Sequence, residues 1–128
     1  MAVPPDRYRL PRSRRITRGG EIRALFRGGK KSRTAHLDVF ASASPAPRSR
    51  VGLVVPRHRH SIVERNLVKR RIREALRLEV LPRLNAAGLA QDVLVRARRE
   101  AYDASFEALR EELIGWLEEQ WSHAPSSS

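Results

Sequence analysis

Between Arg65 and Arg77, the cations Lys69, Arg70, Arg73 and Arg77 recur with Asn66 at three- and four-residue steps. At about 100° per residue this set falls within about a third of a helix circumference. The chemistry open to it is the gripping of phosphates by Lys and Arg. Asn66 adds hydrogen bonds to a phosphate, a 2′-hydroxyl or a base edge. Val68, Ile72, Ala75 and Leu76 repeat with the same period on another side, so the segment reads as a helix with one apolar and one cationic face. Lys69/Arg73 and Arg73/Arg77 are like-charged pairs four residues apart, each costing a few tenths of a kcal/mol. A surface selected for stability alone would place Glu among them.

A second set is His36, Asp38 and Phe40, which alternates with Leu37, Val39 and Ala41 in a strand pattern. With Leu37 and Val39 inward, the other face would show Phe40 beside cations. Such a ring can stack on unpaired bases at about 1–3 kcal/mol each. The alternation is equally compatible with Phe40 in the core, and Phe26 has the same two readings. His36, His58, His60 and His123 have no metal-ligand spacing with Asp or Glu. No Gly-rich phosphate loop follows a strand. The acidic residues of 107–119 read as the solvated face of a final helix, and Tyr102, Trp116 and Trp121 as packing residues.

The 128 residues carry 26 Lys and Arg against 14 Asp and Glu, a net charge of +12. With 41% hydrophobic residues, the chain is not a wholly disordered polybasic protein. Nucleic acid is the first partner such a charge implies, because neutralised phosphates release counterions. No apolar run approaches the roughly 20 residues of a membrane span, and residues 1–15 lack a signal-peptide stretch. Without Cys there is neither a disulfide framework nor a thiolate metal site. The expectation is a cytoplasmic protein with no membrane partner. Residues 1–35 hold a net +9 and residues 86–128 a net −4, so the polyanion-facing surface should come from the first two thirds.

The elements that must position these residues follow from caps and stops. Residues 1–15, rich in Pro and Arg, read as a flexible basic segment. Thr17 would cap a helix over 20–27, stopped by Gly28-Gly29. Strands follow at 36–41 and 50–55. Ser61 and Glu64 form a capping box for the basic helix, which runs to about Leu81 before Pro82, Asn85 and Gly88 close it. A third strand covers 92–98, and Asp103 caps a last helix. Residues 123–128 read as a disordered tail. The order is α-β-β-α-β-α, a single-domain α/β sandwich of the α+β class over 16–122. Its middle β-α-β would be a right-handed parallel crossover by the general rule.

Arg65-Asn66-x-x-Lys69-Arg70-x-x-Arg73, directly after Val51-Gly52-Leu53 and a short basic loop, resembles the protein component of bacterial ribonuclease P. The resemblance covers about Tyr8 to Trp121. It extends to Arg9-Leu10, Glu21-Ile22-x-x-Leu25-Phe26-x-x-Gly29, Leu37-x-Val39-Phe40, Asp92-Val93-Leu94-Val95-x-Ala97-Arg98, and Phe106 with Leu113. It implies a left-handed crossover instead. It also implies an RNA subunit that carries out Mg2+-dependent hydrolysis, with Mg2+ bound mainly by that RNA, to remove the 5′ leader of precursor tRNA. Arg65, Asn66, Lys69, Arg70 and Arg73 would then face RNA, with Arg77 continuing the stripe. A cleft of Ile22, Phe26, His36, Asp38 and Phe40, with Arg57 at its rim, would hold the leader. Precursor tRNA and the RNA subunit are the implied partners, and DNA is not expected. The chain departs from the family at Leu67, where an Arg is usual and Arg71 could compensate. It departs again at His60, where Gly is common, at Ile22, where an aromatic is common, and at Asp38, where an apolar residue is common. The alternative is a non-enzymatic RNA-binding protein of ribosomal-protein type. It would need basic surface and tails but no open cleft.

Overall fold

The computed structural model describes residues 10–121. The elements run α1 (Gly19–Gly28), β1 (Lys30–Arg33), β2 (Leu37–Ala43), β3 (Arg50–Val54), α2 (Ile62–Ala75), a π-helical stretch (Leu76–Val80), α3 (Leu81–Ala86), β4 (Gln91–Ala97) and α4 (Phe106–Trp121). The sheet order is β1-β2-β4-β3. β1 and β4 each lie antiparallel to β2, whereas β3 and β4 are parallel and joined through α2. The expected α+β sandwich and the parallel β-α-β crossover are both present.

One face of the sheet carries the main core. Leu37 and Val39 of β2, Val51 of β3, and Val93 and Val95 of β4 are buried with Val68, Ile72 and Ala75 of α2 and Leu109 and Leu113 of α4. The opposite face holds a smaller core of Ile16, Leu25, Phe40 and Leu94, roofed by α1 through Ile22 and Phe26. Covering both faces of β2 buries Asp38 and Phe40, each only 3% exposed. Of the two readings that the alternation left open for Phe40, the structure shows the core one.

β1 was not anticipated. Its sequence, Lys30-Lys31-Ser32-Arg33, has no apolar residue to alternate. It survives as an edge strand against β2, where charged side chains also discourage pairing with another chain. The segment before α1 is also more ordered than the composition implied. Leu10 is buried, Arg12–Arg14 form a 3-10 turn, and Ile16 N–H donates to the Val51 carbonyl at 2.8 Å. That hydrogen bond explains Gly52, since a Cβ there would stand 2.8 Å from the Ile16 oxygen. The folded region therefore begins by residue 10 rather than 16. Residues 1–9 and the tail expected over 123–128 lie outside the described residues.

Two caps differ from the expectation. α1 starts after Arg18 without a side-chain cap, so Thr17 does not serve. α4 begins after Ser105, whose hydroxyl accepts from Ala108 N–H, so Asp103 does not cap it. The capping box of α2 is as expected. Glu64 N–H donates to Ser61 Oγ at 3.1 Å, and Ser61 N–H donates to Glu64 Oε1 at 2.8 Å. The basic helix continues past Ala75, but through a π turn in which Leu81 N–H reaches the Leu76 carbonyl. Pro82 supplies the reason: it has no N–H, and its ring collides with the carbonyl four residues back in a regular helix.

Ser61→Ala is expected to cost about 1 kcal/mol in denaturant unfolding. The Ser61 backbone N–H, with smaller help from His60 and the Ser61 hydroxyl, lowers the Glu64 carboxyl below its ordinary 4.5. The Glu64 contribution is therefore complete above that value and lost as pH falls through the lowered one. Glu64→Gln should flatten the acid side of the stability profile. An unaltered acid limb would remove this role.

Candidate nucleic-acid interface

The apolar stripe of α2 faces the core and leaves its cations outward. Asn66, Arg70 and Arg73 are exposed, and Lys69 is half-buried beside them. Neither Arg70 nor Arg73 has a carboxylate within ion-pair distance among the described residues. Partial burial, then Arg65 and Arg73, lowers the Lys69 ammonium below 10.5. Arg73 thus adds like-charge repulsion at Lys69, behind burial as the larger cause. Lys69 and Arg73 also line a pocket of about 160 Å3 shared with Arg15 of the N-terminal segment.

Three neighbouring arginines are partly committed. Arg65 donates from Nε to the Val55 carbonyl at 2.7 Å, which ties the helix start to the end of β3. Arg77 is held by Glu74 at 2.9 Å. Arg71, suggested as a substitute for the cation missing at Leu67, donates from one Nη to the Ala104 carbonyl at 3.0 Å. Leu67 is 44% exposed and Val63, one turn earlier, is 78% exposed. Together they form an apolar border along the cationic stripe.

The second surface lies where α1 meets the sheet. Phe26 packs edge-on against Phe40 with centroids 5.0 Å apart. The Arg96 guanidinium lies 5.1 Å from the Phe26 centroid and 5.2 Å from that of Phe40, and the Lys31 ammonium is 5.9 Å from Phe40. Asp38 accepts from Arg96 at 2.9 Å and pairs with Arg33 at 3.6 Å, so it orients these cations. Phe26 and Ile22 are half-buried and reachable from the edge, whereas Phe40 is closed in beneath α1.

This ring cluster adjoins a hollow of about 370 Å3 walled by Arg33, His58, Arg96, Arg98 and Arg99, with Glu100 as its acidic member. His58 Nε2 is buried there without a hydrogen-bond partner among the described residues. His58 and Arg59 have φ of 48° and 71°, left-handed values that cost a non-glycine residue of order 1 kcal/mol. Tyr102 holds this loop in place. Its hydroxyl donates to the Pro56 carbonyl at 2.7 Å, and His60 stacks on its ring at 3.7 Å. His60, where Gly is common in the resembling family, is therefore a packing residue, and the left-handed positions are the two before it. Arg57 is exposed on the same loop.

His36 does not join the cleft. Its ring pairs with Glu112 of α4, and its backbone N–H donates to the same carboxylate at 2.9 Å. The strand starts one residue later, at Leu37, so the alternation does not reach it. Arg33, Arg96, Arg98 and Arg99 were missed. An Arg within Val93-Leu94-Val95-Arg96-Ala97 reads locally as a strand residue. Only the antiparallel register, which puts Arg96 opposite Asp38, brings it to the rings. No group of three or more His, Asp or Glu that could hold a metal occurs among the described residues.

A model of the family described as Ribonuclease P matches residues 10–120. The chain is 37% identical over 128 residues to the ribonuclease P protein component of Desulfovibrio desulfuricans, covering 95% of this chain and 94% of that one. It is 38% identical over 130 residues to that of Micrococcus luteus, covering 93% and 97%. The solved RNase P protein of Staphylococcus aureus superposes with a TM-score of 0.69 at 23% identity, over 84% of this chain and 94% of that one. The Thermotoga maritima protein gives 0.63 at 25% identity, over 87% and 96%.

Proposed function

The chain belongs to the ribonuclease P protein family, as a subunit of the tRNA-processing endoribonuclease, and from that premise we propose how its two basic surfaces divide the work. The exposed face of α2, led by Asn66, Lys69, Arg70 and Arg73, grips the RNA subunit. The surface of Ile22 and Phe26, backed from beneath by buried Phe40 and Asp38 and rimmed by Arg96 and Arg57, takes the single-stranded 5′ leader of precursor tRNA. Its basic hollow receives the leader phosphates. The observation that carries the first assignment is the stripe itself: Arg70 and Arg73 remain exposed and without carboxylate partners among the described residues, while a packed core holds the helix rigid. Family membership favours this reading over a ribosomal-protein role, and the juxtaposed rings and arginines give the leader a surface that such a role would not need.

In this proposal the reacting phosphodiester and the Mg2+ ions are held by the RNA subunit. The nearby carboxylates are poor metal ligands as placed: Asp38 is taken by Arg96, Glu64 by its cap and Glu74 by Arg77. The protein's share is electrostatic and positional. It screens phosphate repulsion and holds the leader in line. Its place of action is then the cytoplasm, with precursor tRNA. No described helix is long and apolar enough to cross a membrane.

The test is reconstitution with a bacterial ribonuclease P RNA at Mg2+ too low for the RNA to cleave alone. Added protein is expected to restore removal of the leader, and protein without RNA to cleave nothing. Cleavage by the protein alone would overturn the division of labour. Failure to stimulate the RNA would overturn the assignment of both surfaces.

A further inference from the structure

The roof of the leader surface is held to the sheet by a small apolar core and by one ionic tie. Arg50, at the start of β3, donates from Nε and Nη2 to the two Asp92 oxygens at 3.0 and 2.6 Å. Its third arm, Nη1, reaches Glu21 of α1 at 3.0 Å. Arg50 and Asp92 face each other across the parallel β3–β4 pair, and both side chains are largely buried. Hydrogen bonding to Asp92, only partly opposed by burial, raises the guanidinium above its ordinary value, so it stays charged throughout the working range.

Glu21 sits on one flank of α1. Ile22 and Phe26, about 40° apart around the axis, lie on another, with Phe26 about 140° from Glu21. Under the Glu21 flank is a cavity of about 330 Å3, bordered by Gly28, Ser42, Pro45, Arg50 and Asp92. Apolar packing beneath α1 is confined to the smaller core. A helix seated on so little apolar surface, with space along one flank, can roll. The Glu21–Arg50 bond opposes that roll, and its direction sets how Phe26 lies over Phe40 and Arg96.

We infer that Arg50 is a positioning residue for leader binding: anchored by Asp92, it latches α1 through Glu21 and so fixes the Phe26–Phe40–Arg96 surface. The inference rests on the leader assignment above. Nothing in the latch itself touches the rings, so its effect is transmitted through the helix.

Arg50→Ala would strand buried Asp92 and can unfold the sheet, so the informative variant is Glu21→Ala, which leaves the Arg50–Asp92 pair intact. The measurement is affinity of the reconstituted holoenzyme for precursor tRNA and for the same tRNA without its leader. Glu21→Ala is expected to weaken precursor binding about tenfold, leave leaderless binding within about twofold, and raise KM with kcat unchanged at saturation. Glu21→Gln, which can still accept from Arg50, should recover most of the loss. Equal losses on both tRNAs would mean a general structural role and would overturn the latch. So would a leader-dependent advantage kept in full by Glu21→Ala. A wild-type holoenzyme that shows no such advantage would overturn the leader assignment and the latch with it.

Discussion

Replacing Phe40 with Ala is expected to lower the unfolding free energy of the isolated protein by about 3–5 kcal/mol, the range for truncating a buried aromatic. The ring is 3% exposed and forms the centre of the smaller core, between Leu25 and Leu94, with the edge of Phe26 against it. Its removal would open a cavity between α1 and the sheet and take one of two rings away from Arg96. Weaker leader binding by this variant would therefore have two sources. Phe40→Leu separates them, because it keeps most of the apolar volume and loses the ring. Urea unfolding of the two variants, followed by leader-dependent affinity of Phe40→Leu, makes the comparison. An unfolding change below about 1 kcal/mol for Phe40→Ala would contradict the packing described. Full leader affinity in Phe40→Leu would mean that the buried ring supports Phe26 and Arg96 by its volume alone.

The second large effect is expected from removing Lys69, Arg70 and Arg73 together. Each cation that neutralises a phosphate contributes about one unit to the slope of log K against log salt, and its removal subtracts that unit. Counterion release vanishes as a driving force near 1 M salt, so one unit corresponds to about tenfold in affinity at 0.1 M. The triple Ala variant should bind the RNA subunit about a thousandfold more weakly at 0.1 M salt, with a slope lower by about three units. Its fold should persist, because the substitutions relieve repulsion within the stripe. Filter binding across a salt series reads both quantities. A slope lower by one unit or less would place most of the phosphate-gripping cations elsewhere, with Arg15 and Arg65 the next candidates.

The cationic stripe was legible because a helix carries its own period. Its two faces are set by spacing that no distant residue alters, and the Ser61–Glu64 box marks its start. The state of Phe40 was not legible, since it depends on whether α1 closes the second face of β2. That closure depends in turn on Ile16, Leu25 and a latch between residues 21, 50 and 92. Arg96 was hidden for a related reason: its meaning comes from register with Asp38, a pairing 58 residues apart. β1 escaped because edge strands can do without apolar alternation. His36 sits at the strand's end, where its carbonyl still accepts from Arg98 N–H, but its ring is taken by Glu112 of α4, a contact 76 residues away that no local pattern shows.

The π turn before Pro82 has a consequence for the length of the cationic stripe. Leu84 lies eighteen residues after Asn66, five full turns of an ideal helix. In an unbroken helix it would share the azimuth of Asn66 and put an apolar side chain into the cationic stripe. The wider turn inserts one residue's worth of phase, about 100°, and carries Leu84 into the sector of Ile72 and Leu76, where it is buried. A proline placed for steric reasons thus acts as a phase shifter. The first part of the rod presents cations over about 18 Å, from Arg65 to Arg77, the length the proposed RNA contact would have. The remainder is rotated out of that role and serves the core.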